Sequence, residues 1–272
     1  MAIPYNLPKR NYIKAFWKLD EESGNRVDET GNHLATDVNT VLFDTGHINN
    51  AAKFARATEE CFTLVDHTDL KPTTPFSAGC WFKSNSRGGT QIIFSSYSAH
   101  DADRGGFEIY SDTSDHFGIL SGRGTGGVHG TDFNDVSGTT DIVDNNLHQL
   151  MATWDGSDLK VYVDDGVAEG TQAWAHAPSY GDPNYVRIGC DNVTGANRNF
   201  TNGLIDELIL WNGVALTQAE VLQVKNITTY AYAGGFSGFS PWIFMKDMWE
   251  KHNKIWTPKG LILPKEGYSY LR

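Results

Sequence analysis

Apolar residues along this chain recur in short alternating runs, not in helical periods. Leu159, Val161 and Val163 alternate with Lys160 and Tyr162, the two-residue repeat of a strand with one covered face. Runs of similar aromatic and β-branched character lie at 14–19, 51–55, 61–65, 107–110, 117–120, 147–154 and 185–190. The segments 77–83 and 91–97 are the richest of all and are expected to be central strands. Turn clusters separate them, among them Ser23-Gly24-Asn25, Thr30-Gly31-Asn32, Asp155-Gly156 and Asp164-Asp165-Gly166. The last two punctuate a hairpin pair and require positive φ at the Asp-Gly steps. Residues 121–141, rich in Gly, Thr, Asp and Ser, predict a long irregular loop. No period of 20–50 residues recurs, which excludes propellers and solenoids.

One stretch carries more information than any other. From Gly203 to Asn212 the chain is β-rich and holds adjacent carboxylates, Asp206 and Glu207, before Asn212-Gly213 breaks it. Thr217 then stands three residues ahead of Glu220, the spacing of a capping box, and Leu216, Val221 and Val224 give a short helix its apolar face. The succession Gly-Leu-Ile-Asp-Glu through Trp211-Asn212 to Leu216-Thr217 and Glu220-Val221 resembles the closing strand and helix of the laminin-G-like branch of the concanavalin A-like lectin/glucanase superfamily. Three further stretches agree in order: 15–24 with 28–32, Gly46 leading into 51–54, and 148–166. Together they cover roughly residues 14–226. The resemblance implies an all-β fold, a two-sheet antiparallel jelly-roll sandwich with N- and C-terminal extensions. It implies little about function, because one fold hosts lectins, hydrolases and adhesive modules.

A chain of 272 residues accommodates one such sandwich with extensions. The expected division is an arm at 1–13, the jelly roll at 14–226 and an aromatic C-terminal arm at 227–272. The net charge of −11 argues against a general nucleic-acid binder, which needs a basic surface. The charge is uneven: residues 1–18 carry four basic side chains and no acid, and residues 246–272 carry six basic against three acidic. Basic ends on an acidic body suggest ends that lie on acidic surface, their own or a neighbour's, with chance clustering as the plain alternative. Cys61, Cys80 and Cys190 lack framework or C-x-x-C spacing and read as buried free thiols. No apolar secretory segment opens the chain, so synthesis and retention in a reducing compartment is expected. The Asn-x-Thr sequences at Asn192, Asn199 and Asn226 are then incidental.

Residues 226–245 form a run of 20 without a charge, long enough to span a membrane but broken by three glycines and Pro241. No membrane span is expected. Pro241 at a helix start, with Trp242, Met245, Trp249 and Trp256 near helical spacing, predicts a short amphipathic helix over 241–256. With Phe236 and Phe239 these residues are candidates for docking on other protein subunits; folding back onto the sandwich is the alternative.

Catalytic signals are absent. The glucanases of the superfamily use Glu-x-Asp-x-Glu on one strand, whereas Phe107-Glu-Ile-Tyr-Ser-Asp112 offers one Glu and an Asp at the wrong register. No nucleophile elbow, zinc-protease motif or phosphate loop occurs. The resemblance implies a structural calcium between the first strands and the closing strand, with Asp206 as a ligand and Asp20, Asp28 and the backbone of Gly46 as companions; an internal salt bridge or cap is the alternative for Asp206. For glycan binding the candidate loops are 98–105, with Asp101 and Asp103, and 121–141, with Trp174 as a platform. Each is otherwise plain loop or core. The expected function is a non-enzymatic structural component of a larger assembly, most simply a phage virion decoration or fibre protein that docks through its termini. The alternative is a free or cell-surface carbohydrate-binding lectin.

Overall fold

The computed structural model describes residues 3–100, 103–181, 186–193 and 196–230, and two short strands further on, 254–256 and 262–264. The chain divides into two units, residues 1–230 and 231–272.

In the first unit the strands follow in chain order as β1 (Ile13–Trp17), β2 (Thr36–Val38), β3 (Leu42–Thr45), β4 (Asn50–Phe54), β5 (Cys61–Leu64), β6 (Phe76–Ser84), β7 (Gln91–Ser95), β8 (Ser98–His100) and β9 (Asp103–Ser111). They continue as β10 (His116–Arg123), β11 (Phe133–Asp141), β12 (His148–Trp154), β13 (Asp158–Val163), β14 (Ala168–Ala173), β15 (Val186–Ile188), β16 (Asp191–Val193), β17 (Ala196–Arg198) and β18 (Gly203–Asn212), with helix α1 (Gln218–Lys225) closing the unit. The first sheet runs β14-β13-β12-β6-β18-β4-β3, with β1 also on β18. The second runs β11-β10-β9-β7-β15-β5-β2, with β8 on β9, and every pairing in both is antiparallel. This is the expected two-sheet sandwich.

Alternation decides what lies between the sheets. Phe76, Phe82, Leu150, Val161 and Ile205 from the first meet Phe62, Phe94, Phe107, Phe117 and Ile188 from the second in one buried cluster. Removing that much apolar surface from water is the main term favouring the fold. The outer face of the first sheet is covered as well: Phe16, Met151, Tyr162, Ile209 and Trp211 pack beneath Leu7 of the N-terminal segment and Leu216 and Val221 at the helix. The N-terminal segment therefore lies on its own body, where Lys9 pairs with Glu220 at 3.2 Å and Trp211 Nε1 donates to the Pro8 carbonyl at 3.0 Å. The three cysteines are free and buried.

Local chemistry sets the joints. Gly156 turns β12 into β13 at φ 97°, as an Asp-Gly step requires. At the second step Asp164 takes the positive φ, 57°, and Gly166 is needed because a Cβ there would lie 2.5 Å from the Gln218 carbonyl. The capping box at α1 forms in full: Glu220 N donates to Thr217 Oγ1 at 3.4 Å and Thr217 N to Glu220 Oε2 at 2.9 Å.

Two expectations are corrected. Residues 121–141 are not one loop, because Phe133–Asp141 is an edge strand whose Thr139 and Thr140 N–H groups both donate to Glu169 Oε2 at 3.0 Å. The helix expected over 241–256 does not reach its end: Lys254–Trp256 is β19, paired with β20 (Ile262–Pro264). The rest of that helix, with Phe236, Phe239, Trp242, Met245 and Trp249, lies outside the described residues, as does the side chain of Trp256. Among the described residues no helix is long and apolar enough to cross a membrane.

Candidate functional site

Strand β9 organises the open face of the second sheet. Phe107 and Ile109 point into the core, so the period-two rule sends Glu108 and Tyr110 outward. Tyr110 joins Ile92, Tyr97, Leu120 and Phe133 in a buried apolar floor on that face. Glu108 stands opposite Ser95 and Leu120, and Ser95 Oγ donates to its Oε2 at 3.4 Å.

Two hairpins from other parts of the chain border this floor. The β8–β9 hairpin supplies Arg104, whose guanidinium carbon sits 4.3 Å from the Phe133 ring centroid. The 124–126 turn is tied to Arg104 through Arg104 N to Gly126 O at 3.1 Å and Gly124 N to Arg104 O at 2.8 Å. The structure thus joins the two loops singled out in the sequence. Asp132 orders the second, accepting from Thr125 Oγ1 at 2.8 Å and Val128 N at 3.1 Å. From the β16–β17 hairpin comes Asp191, which accepts from Arg198 Nε at 3.3 Å and, just past the hairpin, Asn199 Nδ2 at 3.1 Å.

Electrostatics follow from burial. Glu108 is 8% exposed, and its pKa is pushed up to about 8, first by desolvation and then by the charge of Asp191. Asp191 is itself raised by burial, with Arg198 and Asn199 opposing. Burial also raises the Tyr97 phenol beside Glu108. Near neutral pH a protonated carboxyl and two phenols are thus buried in this face, with Arg104 and Arg198 exposed at its border.

The candidate glycan-binding residues distribute unevenly around this site. Asp101 and the side chain of Asp103 lie outside the described residues, although the backbone of Asp103 pairs with His100 at the start of β9. Trp174 is not a platform: it is 3% exposed and packed in the inter-sheet core, its carbonyl accepting from Trp154 Nε1 at 2.7 Å. Arg104, Glu108, Asp191 and Arg198 carried no local signal for their joint position, since sheet topology alone brings residues 104 and 198 near Glu108.

The acidic residues of the closing strand form a second cluster. Strand β18 is bordered by β4 over Gly203–Ile205 and by β1 over Leu208–Trp211, and Asp206-Glu207 is the irregularity between them. Glu207 takes φ 53°, which turns two successive carboxylates into the protein. Asp206 Oδ2 accepts from His47 N at 2.6 Å, and Gly46 approaches so closely that a Cβ would lie 2.4 Å from the same oxygen. Asp20 accepts from Asn50 N at 3.2 Å and Asn49 Nδ2 at 3.3 Å. Burial raises Asp206 to about 7 and Glu207 well above its usual range, and the charge of Asp20 adds to both. Asp206 Oδ1 and Glu207 Oε1 are buried without a hydrogen-bond partner.

Orphaned, charge-repelling carboxylate oxygens of this kind fit a hard cation. These acids do not close a cage of side chains by themselves, so carbonyls of the 46–49 turn would complete it. Asp28 is excluded as a ligand. Its oxygens already accept from Phe16 N at 2.9 Å, Thr30 N at 3.0 Å, Asn32 N at 3.2 Å, His33 N at 3.1 Å and the Thr30 hydroxyl, leaving it the organiser of its own turn.

A pocket of about 660 Å³ also lies on the outer side of the first sheet, lined by Lys53, Lys83, Asn85, Asn145, Asn202 and Leu204 among others. Lys53 is committed to Asp44 at 3.0 Å, and the aromatic ring in the lining, Phe54, is 2% exposed. It offers amides and a cation but no platform for a sugar ring.

A family model described as the concanavalin A-like lectin/glucanases superfamily matches residues 58–222. The chain belongs to this superfamily. Among curated proteins no sequence matches it. Its concanavalin A-like jelly roll is similar to a botulinum neurotoxin type C structure, whose cell entry depends upon interaction with two ganglioside molecules: TM-score 0.61, 12% identity, 81% of this chain and 52% of that one. It is similar to the binding domain of Paraclostridial Mosquitocidal Protein 1, with TM-score 0.59, 12% identity and coverage of 79% and 52%. Domain 4 of AbnA, an extracellular arabinanase from Geobacillus stearothermophilus in complex with arabinotriose, gives TM-score 0.52, 20% identity and coverage of 79% and 98%. The chain spans about half the length of the toxin structures and nearly all of the arabinanase domain.

Proposed function

We propose that the chain is a non-catalytic carbohydrate-binding protein that takes an oligosaccharide over the outer face of its second sheet, on the exposed arginines Arg104 and Arg198 that border the buried Glu108, Tyr97 and Tyr110. The observation that carries this is that Glu108 is the one outward carboxyl among the described side chains of β9. Hydrolysis of a glycosidic bond needs two carboxyl groups facing it. On β9 the next outward position after Glu108 is Tyr110, and Asp112 lies beyond the strand end, accepting from Ser114 N at 2.8 Å and His116 N at 3.0 Å. Asp191 comes from an overlying hairpin and is held by Arg198 and Asn199. What remains exposed at the border is a set of polar groups, among them Arg104, Arg198 and Asn199, the kind of groups that orient a sugar's hydroxyls. The toxin structure tied to gangliosides and the arabinanase domain with arabinotriose support the same reading.

A glycan array followed by calorimetric titration of the best ligand tests it. Arg104→Ala should weaken binding roughly tenfold or more, one to two lost polar contacts. Lys83→Ala should leave affinity unchanged. An array without a hit, or reducing ends released from the bound glycan, would overturn the proposal.

The module's carrier is the finer part of the reading. Residues 231–272 form a unit of their own, and their sequence holds Phe236, Phe239, Trp242, Met245, Trp249 and Trp256. These support docking to other protein subunits, as in a virion decoration or fibre protein. Sedimentation of the full chain and of residues 1–230 tests this: self-association or particle binding should vanish on truncation, and a monomer indifferent to it rejects the docking role. For the calcium, Asp206, Asp20 and Gly46 are retained as ligands. A bound ion would neutralise the buried carboxylates and tie the exit of β1 to β18.

A further inference from the structure

His33 and His67 are far apart in sequence, one between β1 and β2 and the other between β5 and β6. Their rings lie 4.9 Å apart, centroid to centroid. Asp69 Oδ2 is 3.4 Å from His33 Nε2 and 3.4 Å from His67 Nδ1. One ligand atom from each of the three residues falls within 4.8 Å of the others. A tetrahedron with metal–ligand arms of about 2.1 Å has an edge of about 3.4 Å, so both contacts to Asp69 already have the length of such an edge.

The state of His33 is the second, independent observation. Its side chain is 2% exposed, and buried Nε2 makes no well-formed hydrogen bond, its one polar neighbour among the described contacts being Asp69 Oδ2 at 3.4 Å. A buried unpaired imidazole nitrogen is costly unless something takes its lone pair. The residue is locked in place from both sides: its N–H donates to Asp28 Oδ2 at 3.1 Å, and its carbonyl accepts from Trp17 Nε1 at 2.7 Å. The turn carrying Asp69 is anchored by buried Leu70 and by Asn212 Nδ2, which donates to the Asp69 carbonyl at 3.2 Å.

We propose that His33, His67 and Asp69 form a binding site for a zinc-like divalent d-block cation, with a fourth position open to solvent. Two imidazoles and one carboxylate suit zinc, copper or nickel, whereas calcium demands an all-oxygen shell. His33 supplies the buried anchor, while half-exposed His67 and Asp69 form the rim through which the ion enters. His67 Nδ1 accepts from Asp69 N at 3.1 Å, and the ion would take over this lone pair, releasing one N–H to water at the rim. The site would pin the β1–β2 connection to the turn ahead of β6. It is independent of the acidic cluster at Asp206.

Untagged, metal-free full chain titrated with cobalt(II) as a spectroscopic probe, then with zinc, tests the proposal. Expected are one equivalent bound, a tetrahedral visible absorption band, displacement of cobalt by zinc and a higher melting temperature with zinc. His67→Ala, exposed enough to fold normally, and Asp69→Ala should each weaken binding roughly tenfold or more. Asp206→Asn should leave the band unchanged, and excess calcium should not bleach it. A folded protein that gives no band, or a band that survives in His67→Ala, would overturn the site.

Discussion

His148 Nδ1 lies 2.5 Å from Asp164 Oδ2, while its other ring nitrogen lies 3.0 Å from Asp144 Oδ1. One imidazole thus joins the start of β12 to the turn that follows β13. The two carboxylates raise its pKa to about 9, Asp164 contributing most, against the opposing effect of burial. A histidine whose folded pKa exceeds its unfolded one stabilises the fold below the unfolded value, near 6.5, and loses that contribution as pH climbs through the folded one. His148→Gln should therefore cost about 1–3 kcal/mol at pH 6, several degrees of melting temperature, with the gap to wild type closing above pH 9. Thermal melts of both proteins across that range check it.

Glu108 makes stability fall with rising pH as well, because its folded pKa also lies above its unfolded one. Its carboxyl is held neutral in the fold to about pH 8 but ionises near pH 4.5 in the unfolded chain, so wild-type stability falls as pH rises between those values. Glu108→Gln should match wild type at pH 4 and exceed it at pH 9 by a few kcal/mol at most. Equal stability at pH 9 would mean that the carboxyl ionises freely and faces water.

Calcium should act through one cluster only. Adding the ion should raise the melting temperature of wild type, by about 2.7 kcal/mol of stability at a hundredfold excess over Kd, and Asp206→Asn should abolish the rise. Asp28→Asn should lower stability with and without calcium alike, because Asp28 holds four donors of its own turn and the Phe16 N–H of β1. Differential scanning calorimetry with and without chelator separates the two.

The N-terminal segment should prove structural. Removing residues 1–9 uncovers Trp211, strips its Nε1 of the Pro8 carbonyl and takes away buried Leu7. A loss of about 2–4 kcal/mol is expected from one large apolar side chain and one hydrogen bond. The urea midpoint and the red shift of tryptophan emission report it.

How much was legible depended on how local the cause was. Strands β6, β7, β12, β13 and β18 announce themselves because alternation and turn chemistry sit within a few residues, and the α1 cap is complete in four. Strand β11 does not, since Phe133–Asp141 is written in turn-type residues and becomes a strand through its partners, β10 and Glu169. The candidate binding face was half visible: both bordering loops stood out, but Asp191 and Arg198 arrive over Glu108 from a hairpin some eighty positions later in the chain. Trp174 misled because a tryptophan among polar neighbours looks exposed, and only the fold shows it filling the core. His33 carried no signal at all, its partners being set by which connections share an edge.

Asn6 Nδ2 donates to the Thr229 carbonyl at 2.8 Å, and Gln223 Nε2 donates back to the Asn6 carbonyl at 3.0 Å. The jelly roll is therefore entered and left at one doorway. Such a body can be spliced into a longer polypeptide as a bead on a thread, or held by a single stem, without stretching its own strands.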